Sequence, residues 1–272
     1  MALVEQVERV SKTRWWLQAF WAMAYRQTIR FLRARSKMFS TFAMPLIWFM
    51  FFGLALTSTF NKLGPMAKTL FGGLDYLDYL APGIALMSAF IGGFASGLTL
   101  LFDREFGYLK ELLVAPASRT ATILGRILGD SLAATLQATI MLAILAVATK
   151  YTNLKPLIIV VLLALVTAFM ASAIGTTIAL TMTSPEGFHR IVNLIAMPLI
   201  FLSGIFYPIK TLQQPLATLA VVNPLTHPIQ LARWVMYNVI EEPIAFAIVG
   251  TLAYTILFTT IAVLKYRKTY IA

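Results

Sequence analysis

Cysteine is absent from the 272 residues, so disulfides and thiol chemistry play no part here, although that absence does not identify a compartment. Charge is scarce. Only 12% of the residues are Asp, Glu, Lys or Arg, against roughly 25% in soluble domains, which argues against a water-soluble fold. Acid is scarcer still, with 11 Asp and Glu against 22 Lys and Arg. No Gly-Lys pair occurs, so the Gly-x-x-x-x-Gly-Lys-Ser/Thr loop that cradles nucleotide phosphates is missing and the chain is not expected to hydrolyse ATP by itself. The two histidines, His189 and His227, stand apart from each other. Neither belongs to a His-Glu-x-x-His or Cys pattern, and no metal site is expected.

What remains is apolar: 59% hydrophobic residues and a mean hydropathy of +0.79. These residues fall into uncharged runs at 38–61, 79–102, 131–149, 156–185, 191–209 and 243–264, which are expected to lie in spans at about 38–61, 79–102, 120–149, 156–183, 190–209 and 243–264. Each approaches or exceeds the roughly 20 residues of a spanning helix. A seventh run, Thr211 to Ala232, holds Gln213, Gln214, Pro215, Asn223, Pro224, His227, Pro228 and Gln230. So many polar and helix-breaking groups would be unsatisfied in hydrocarbon, so the run reads as an interfacial or re-entrant segment. Charge asymmetry points the same way. With six spans and both termini inside, sixteen Lys and Arg lie on the cytoplasmic side and six outside, as the positive-inside rule requires. The polar Met1 to Arg14 stretch does not resemble a signal peptide, and no cleavage is expected. The basic residues flank apolar runs, so they do not suggest nucleic acid.

Close helix contact is foreshadowed by Gly93 with Gly97, Gly125 with Gly129, and Ala171 with Gly175, the small-residue spacing that lets helices approach in a membrane. Pro45 and Pro198 should kink their spans. Before the first span, residues 15–37 place Leu17, Phe20, Trp21, Ala24, Phe31 and Leu32 on one helical face and Arg26, Arg30, Arg33 and Lys37 on the other. This amphipathic helix is expected on the cytoplasmic membrane surface, its basic side toward anionic headgroups or an acidic partner. A topology anchor and a partner contact fit equally well. After the second span, Asp103 to Pro116 reads as a short amphipathic helix with Leu109, Leu112 and Leu113 as apolar knobs, then Ser118 as the cap of the next helix. It suits docking into a groove on a soluble partner, and a solvated connection fits the same charges.

The run Phe102 to Gly125, with Asp-Arg-Glu-x-Gly, Leu-Leu-Val-x-Pro-x-Ser-Arg and Ile-Leu-Gly, resembles the ABC type-2 export permeases. So does Ser203-Gly204-Ile205-Phe206-Tyr207-Pro208 followed by Asn223-Pro224-Leu225-Thr226 and Arg233. With the amphipathic N-terminus and the six-span layout, the resemblance covers essentially the whole chain. It implies an all-α integral membrane protein with a cytoplasmic interface segment at 1–37 and a transmembrane domain at 38–272. Within that domain it implies a coupling helix at 103–115 and an external segment at 210–242 that includes Pro208, Pro224, Thr226 and Arg233 or borders them. It further implies a dimer, homomeric or with a similar permease, working with two ATPase subunits that carry the ATP and Mg in the plasma membrane of a prokaryote. No cofactor is expected on this chain. The coupling contact would fall to Asp103, Arg104, Glu105, Gly107, Leu109, Lys110, Glu111, Leu112 and Leu113.

The cargo is less legible. Phe49, Phe52, Met87 and Phe90 could offer an adaptable apolar path to a lipophilic or amphipathic drug- or lipid-like substrate, and a polysaccharide or lipid-linked glycan is the alternative. A different class, the ion-coupled secondary transporter, usually places carboxylates at membrane depth. The six runs hold none; Arg126 and Asp130, four apart at the start of the third span, are expected to neutralise each other.

Overall fold

The computed structural model describes residues 2–34, 43–62, 64–115 and 117–269, leaving the side chains of 2–12, Asn61, Ala67 and Leu113 undescribed. Lys37, Pro116 and the first residues of the expected first span lie outside the described residues. The described chain is all-helical: α1 Ala2–Arg33, α2 Ala43–Phe60, α3 Pro65–Leu70, α4 Tyr76–Glu105, α5 Tyr108–Val114, α6 Arg119–Ala148, α7 Leu154–Ala179, α8 Pro185–Phe201, α9 Leu216–Val222, α10 Thr226–Tyr237 and α11 Ile244–Arg267. Five of them, α2, α4, α6, α7 and α11, are long and apolar enough to cross a membrane.

Helix α4 is the axis of the bundle, with 78% of its spanning window buried against 17% for α2 and for α11. Glycines explain its central position. A Cβ at Gly93 would run into the Ala168 carbonyl, and one at Gly97 into that of Gly175, so α4 and α7 pack backbone to backbone. Such contact compensates for the absence of a hydrophobic drive between helices in lipid. Gly125 and Gly129 serve a different pair. They admit the Phe20 and Ala24 carbonyls of α1 onto α6. Ser118 caps α6 by accepting from the Ala121 N–H at 3.4 Å, as its position before the apolar run predicts.

Two expectations change. The amphipathic helix begins at Ala2 rather than near residue 15, and the acid that its basic face meets lies within the chain, at Asp103. Met23, Ala24 and Gln27 are buried, while Trp15, Leu17, Trp21, Tyr25 and Leu32 are exposed. Arg26 and Arg30 turn inward, because Asp103 needs counter-ions and the α6 glycines hold α1 close enough to supply them.

The span expected at 190–209 is helical only to Phe201. Seventeen residues rise about 25 Å, at the lower end of the range for a spanning helix. Pro198 precedes the stop, and a turn with Gly204 at φ 75° follows. The orphan carbonyls of this end find side-chain donors: Asn223 Nδ2 to Leu199 at 2.6 Å, Ser203 Oγ to Ile200 at 2.6 Å and the Tyr207 hydroxyl to Phe201. Two further features lie within spans: Pro82 inside α4, and a π-helical turn Phe49–Leu54 in α2.

Residues 209–237 form a 3₁₀ turn at Ile209–Thr211 and then the short helices α9 and α10, broken at Asn223-Pro224-Leu225. This is the non-spanning excursion expected from the polar content of the segment.

Candidate functional site: two ionic clusters and a cleft

The first cluster gathers on Asp103, near the end of α4. Its Oδ2 accepts from Arg126 Nη1 of α6 at 2.6 Å, and its Oδ1 from Arg30 Nη1 of α1 at 2.8 Å and Arg26 Nη2 at 3.4 Å. Arg126, 1% exposed, also donates to Thr99 Oγ1 at 2.9 Å. The expected pairing of Arg126 with Asp130 is only secondary, at 3.8 Å, because the Asp103 carboxylate lies closer. Arg33, by contrast, is exposed.

The segment after Asp103 inherits its position from this cluster. Gly107, at φ 78°, supplies the left-handed residue that separates α4 from α5. Tyr108 then lies beneath the Arg26 guanidinium, 3.7 Å from ring centroid to Cζ. Arg104 donates to the Met182 carbonyl at 3.2 Å, tying the segment to the turn after α7. Leu109 does not project outward: it is 5% exposed, among Leu100, Leu101, Ile123, Phe188 and Tyr266. Among the described side chains the outward apolar residues are Phe106, 80% exposed, and Val114, 72% exposed, which the leucine pattern did not indicate; the side chain of the expected knob Leu113 lies outside the described ones. Glu105, Lys110 and Glu111 surround them, exposed, and Leu112 is half-buried.

A second cluster closes the opposite end of α4. Arg233, wholly buried, stacks its guanidinium 3.6 Å from the Tyr79 ring centroid and donates to the Gly204 carbonyl at 3.0 Å and the Tyr79 carbonyl at 3.3 Å. Glu241 is its carboxylate neighbour at 3.7 Å, and also accepts from the Tyr79 hydroxyl at 3.2 Å. The Glu241 N–H donates to Gln230 Oε1 at 3.1 Å. His227 pairs with Glu242 at 3.0 Å and lies parallel to the Tyr254 ring. Thr226 donates to the Ala220 carbonyl at 2.6 Å, closing the α9–α10 corner around Pro224. Pro208 precedes the 3₁₀ turn and is buried. Burial raises the Tyr207 phenol above its ordinary value, and burial followed by the neighbouring Asp78 does the same for Tyr237, so both stay donors at neutral pH. Glu241 and Glu242 could have been noticed in the sequence as adjacent acids in a chain that has few.

Tyr79 and Asp103 stand about 36 Å apart along α4, more than the hydrocarbon thickness. The clusters therefore stand at opposite ends of a helix long enough to cross a bilayer, and each fastens a short segment there.

Of the expected path residues, Met87 and Phe90 are enclosed in the core beside α6 and α7, Phe49 is buried, and Phe52 packs on Trp48 and Phe206. A wider opening is found elsewhere among the described residues. A cleft of about 520 Å³ separates α1, the second half of α4 and α6, with His189 of α8 at its edge. Gln27, Gln137, Arg30 and Asp130 supply polar groups, and Phe31 and Phe102 are among its apolar walls.

Residues 18–237 match the model of the family described as ABC-2 type transporter. Curated relatives agree. The chain is 25% identical over 263 residues to a protein of Cyanophora paradoxa named as the transport permease ycf38, an alignment covering 93% of this chain and 89% of that one. It is 23% identical to the inner membrane transport permease YadH of Escherichia coli, over 73% of this chain and 74% of that one. The daunorubicin resistance ABC transporter permease protein DrrB1 of Streptomyces coeruleorubidus is 23% identical over 64% of each chain.

Proposed function

The chain belongs to the ABC-2 type transporter family, and we propose that it is the permease of an ATP-driven exporter, powered by separate ATPase subunits and moving an amphipathic, drug- or lipid-like cargo outward. The observation that carries this reading is the Asp103 cluster. Asp103 ties the end of α4 by ion pairs to α1 and α6, and the turn and short helix that follow, exposing Phe106 and Val114 within a charged rim, join this cluster through Tyr108 beneath Arg26. A push on that helix by a docked partner therefore reaches three elements at once. The rim residues Glu105, Lys110 and Glu111 set orientation, and the apolar contacts supply most of the docking energy. The drug-resistance relative favours an amphipathic cargo. In this reading the N- and C-termini and α5 face the cytoplasm, the Arg233 cluster seals the outer end, and two copies form the pathway.

The test is reconstitution in lipid vesicles with and without an ABC ATPase subunit that co-purifies with the permease. The permease alone is expected to show no ATPase activity above background. With the ATPase, hydrolysis and ATP-dependent movement of an amphipathic fluorescent cargo are expected together. Hydrolysis by the lone chain, or cargo movement driven by an ion gradient without ATP, would overturn the proposal.

A further inference from the structure

We propose that the cleft between α1, α4 and α6 binds the uncharged, hydroxyl- or amide-bearing head of an amphiphile, with the apolar body of the ligand lying along Phe31 and Phe102. The inference rests on the permease reading and assigns that permease a head-group chemistry.

Two carboxamides carry it. Gln27 is 2% exposed and Gln137 1% exposed, and both line the cleft. Gln27 Nε2, Gln137 Nε2 and Gln137 Oε1 have no hydrogen-bond partner among the described residues. Burying such a group unpaired costs about 1–3 kcal/mol each, so three in one cleft are costly unless something polar enters. The opening exceeds what a single water fills, about 30 Å³ in the liquid; it falls in the range of small-molecule sites. Gly92 preserves the space beside the amide: a Cβ there would come within 2.6 Å of Gln137 Oε1 and 3.0 Å of Ala134 Cβ.

Charge selects the class of head. Arg30 is engaged by Asp103 at 2.8 Å, and Asp130 lies 3.8 Å from Arg126. Each of these charged groups thus has an oppositely charged neighbour inside the protein, and the carboxamides offer two donor groups and one acceptor. A head with its own donors and acceptors and no net charge is the complement. A fully ionised phosphate head would share Arg30 with Asp103 and would bring no donor for Gln137 Oε1.

The experiment uses the full chain in phosphatidylcholine nanodiscs and two probes with the same diazirine-bearing alkyl chain, one carrying glucose and the other phosphate. The glucoside is expected to label peptides within 92–102 or 130–137. Gln27→Leu and Gln137→Leu should each lower that labelling about fivefold, the weight of one hydrogen bond. Ala34→Trp at the half-exposed edge of the cleft blocks entry without disturbing the buried amides, and should lower it too. Displacement by glucosyl diacylglycerol in the nanodisc assigns the site to a lipid head; displacement only by free dodecyl glucoside assigns it to a soluble amphiphile. Displacement by neither, labelling unchanged in all three variants, or equal labelling by the phosphate probe overturns the proposal. No ATPase is present, so a chain that binds the glucoside but never pairs with an ATPase refutes the permease reading and leaves this site standing. The reverse outcome removes only the site.

Discussion

Arg126 Nη1 of α6 lies 2.6 Å from Asp103 Oδ2 of α4, both side chains nearly excluded from solvent. This pair joins two spanning helices where the chain turns into its exposed short helix. Removing one partner leaves the other charged and buried, which costs about 3–5 kcal/mol. Asp103→Asn is therefore expected to lower the thermal midpoint of the purified protein sharply. Arg26→Ala should lower it little, because that guanidinium is 30% exposed and 3.4 Å away, and pairs of that kind contribute roughly 0–1 kcal/mol. Equal shifts for the two variants would count against the hierarchy of contacts around Asp103.

The glycines of α6 govern α1 without any charge. Gly125→Val should drive α1 off α6, since even a Cβ at that site meets the Phe20 backbone. Limited proteolysis checks this. Cleavage at Arg14 to Arg33 is expected to accelerate in the variant and to stay slow in Gly187→Val, where the added Cβ would approach only the Ser184 hydroxyl. Resistance of the Gly125 variant would mean that α1 is held by something other than this notch.

The two faces of α1 were legible in the sequence, but the acid that meets the basic one was not. Periodicity places apolar and basic residues on opposite sides. It does not show that Asp103, 73 residues beyond Arg30, will claim the basic side. The spans were easier, since bilayer thickness imposes a length on apolar runs, and α6 ends within a residue of the expected 120–149. Helix α8 was misjudged at its far end. Phe201 to Ile209 is as apolar as the helix before it, and the stop depends on Asn223, Ser203 and Tyr207 taking up the freed carbonyls. The second cluster was half visible. Arg233 stood out, whereas Tyr79 and Glu241 become its partners only once α4 and α10 are packed together.

At that outer cluster, Arg233→Lys should fail to rescue what Arg233→Ala loses. The guanidinium stacks on Tyr79 while donating to two carbonyls, and an ammonium cannot present a flat face and a planar fork together. Stacking in a desolvated site contributes about 2 kcal/mol. Both variants are expected to open residues 203–242 to hydrogen exchange, measured by mass spectrometry in nanodiscs. Protection in Arg233→Lys equal to that of the unaltered chain would show that charge alone suffices.

The last prediction separates two residues three positions apart that a leucine-stripe reading treats alike or overlooks. Leu109 is buried under α6 and beside Tyr266, whereas Phe106 stands in solvent. Leu109→Ala should therefore act on the fold, costing about 2–5 kcal/mol as buried leucine truncations do, and should reduce ATPase association only as far as the protein is unfolded. Phe106→Asp should act the other way, leaving the thermal midpoint unchanged. If the Phe106 ring is buried against the ATPase, its loss removes about 1.5–3 kcal/mol of docking, or roughly 10- to 100-fold in affinity. Adding Val114→Asp should complete the loss, and Lys110→Ala should weaken docking mildly, more so at low salt. Co-purification with the ATPase, read beside the thermal midpoint of each variant, decides the matter. A Phe106→Asp, Val114→Asp protein that retains its ATPase in full yield would show that this exposed surface is not where the partner docks.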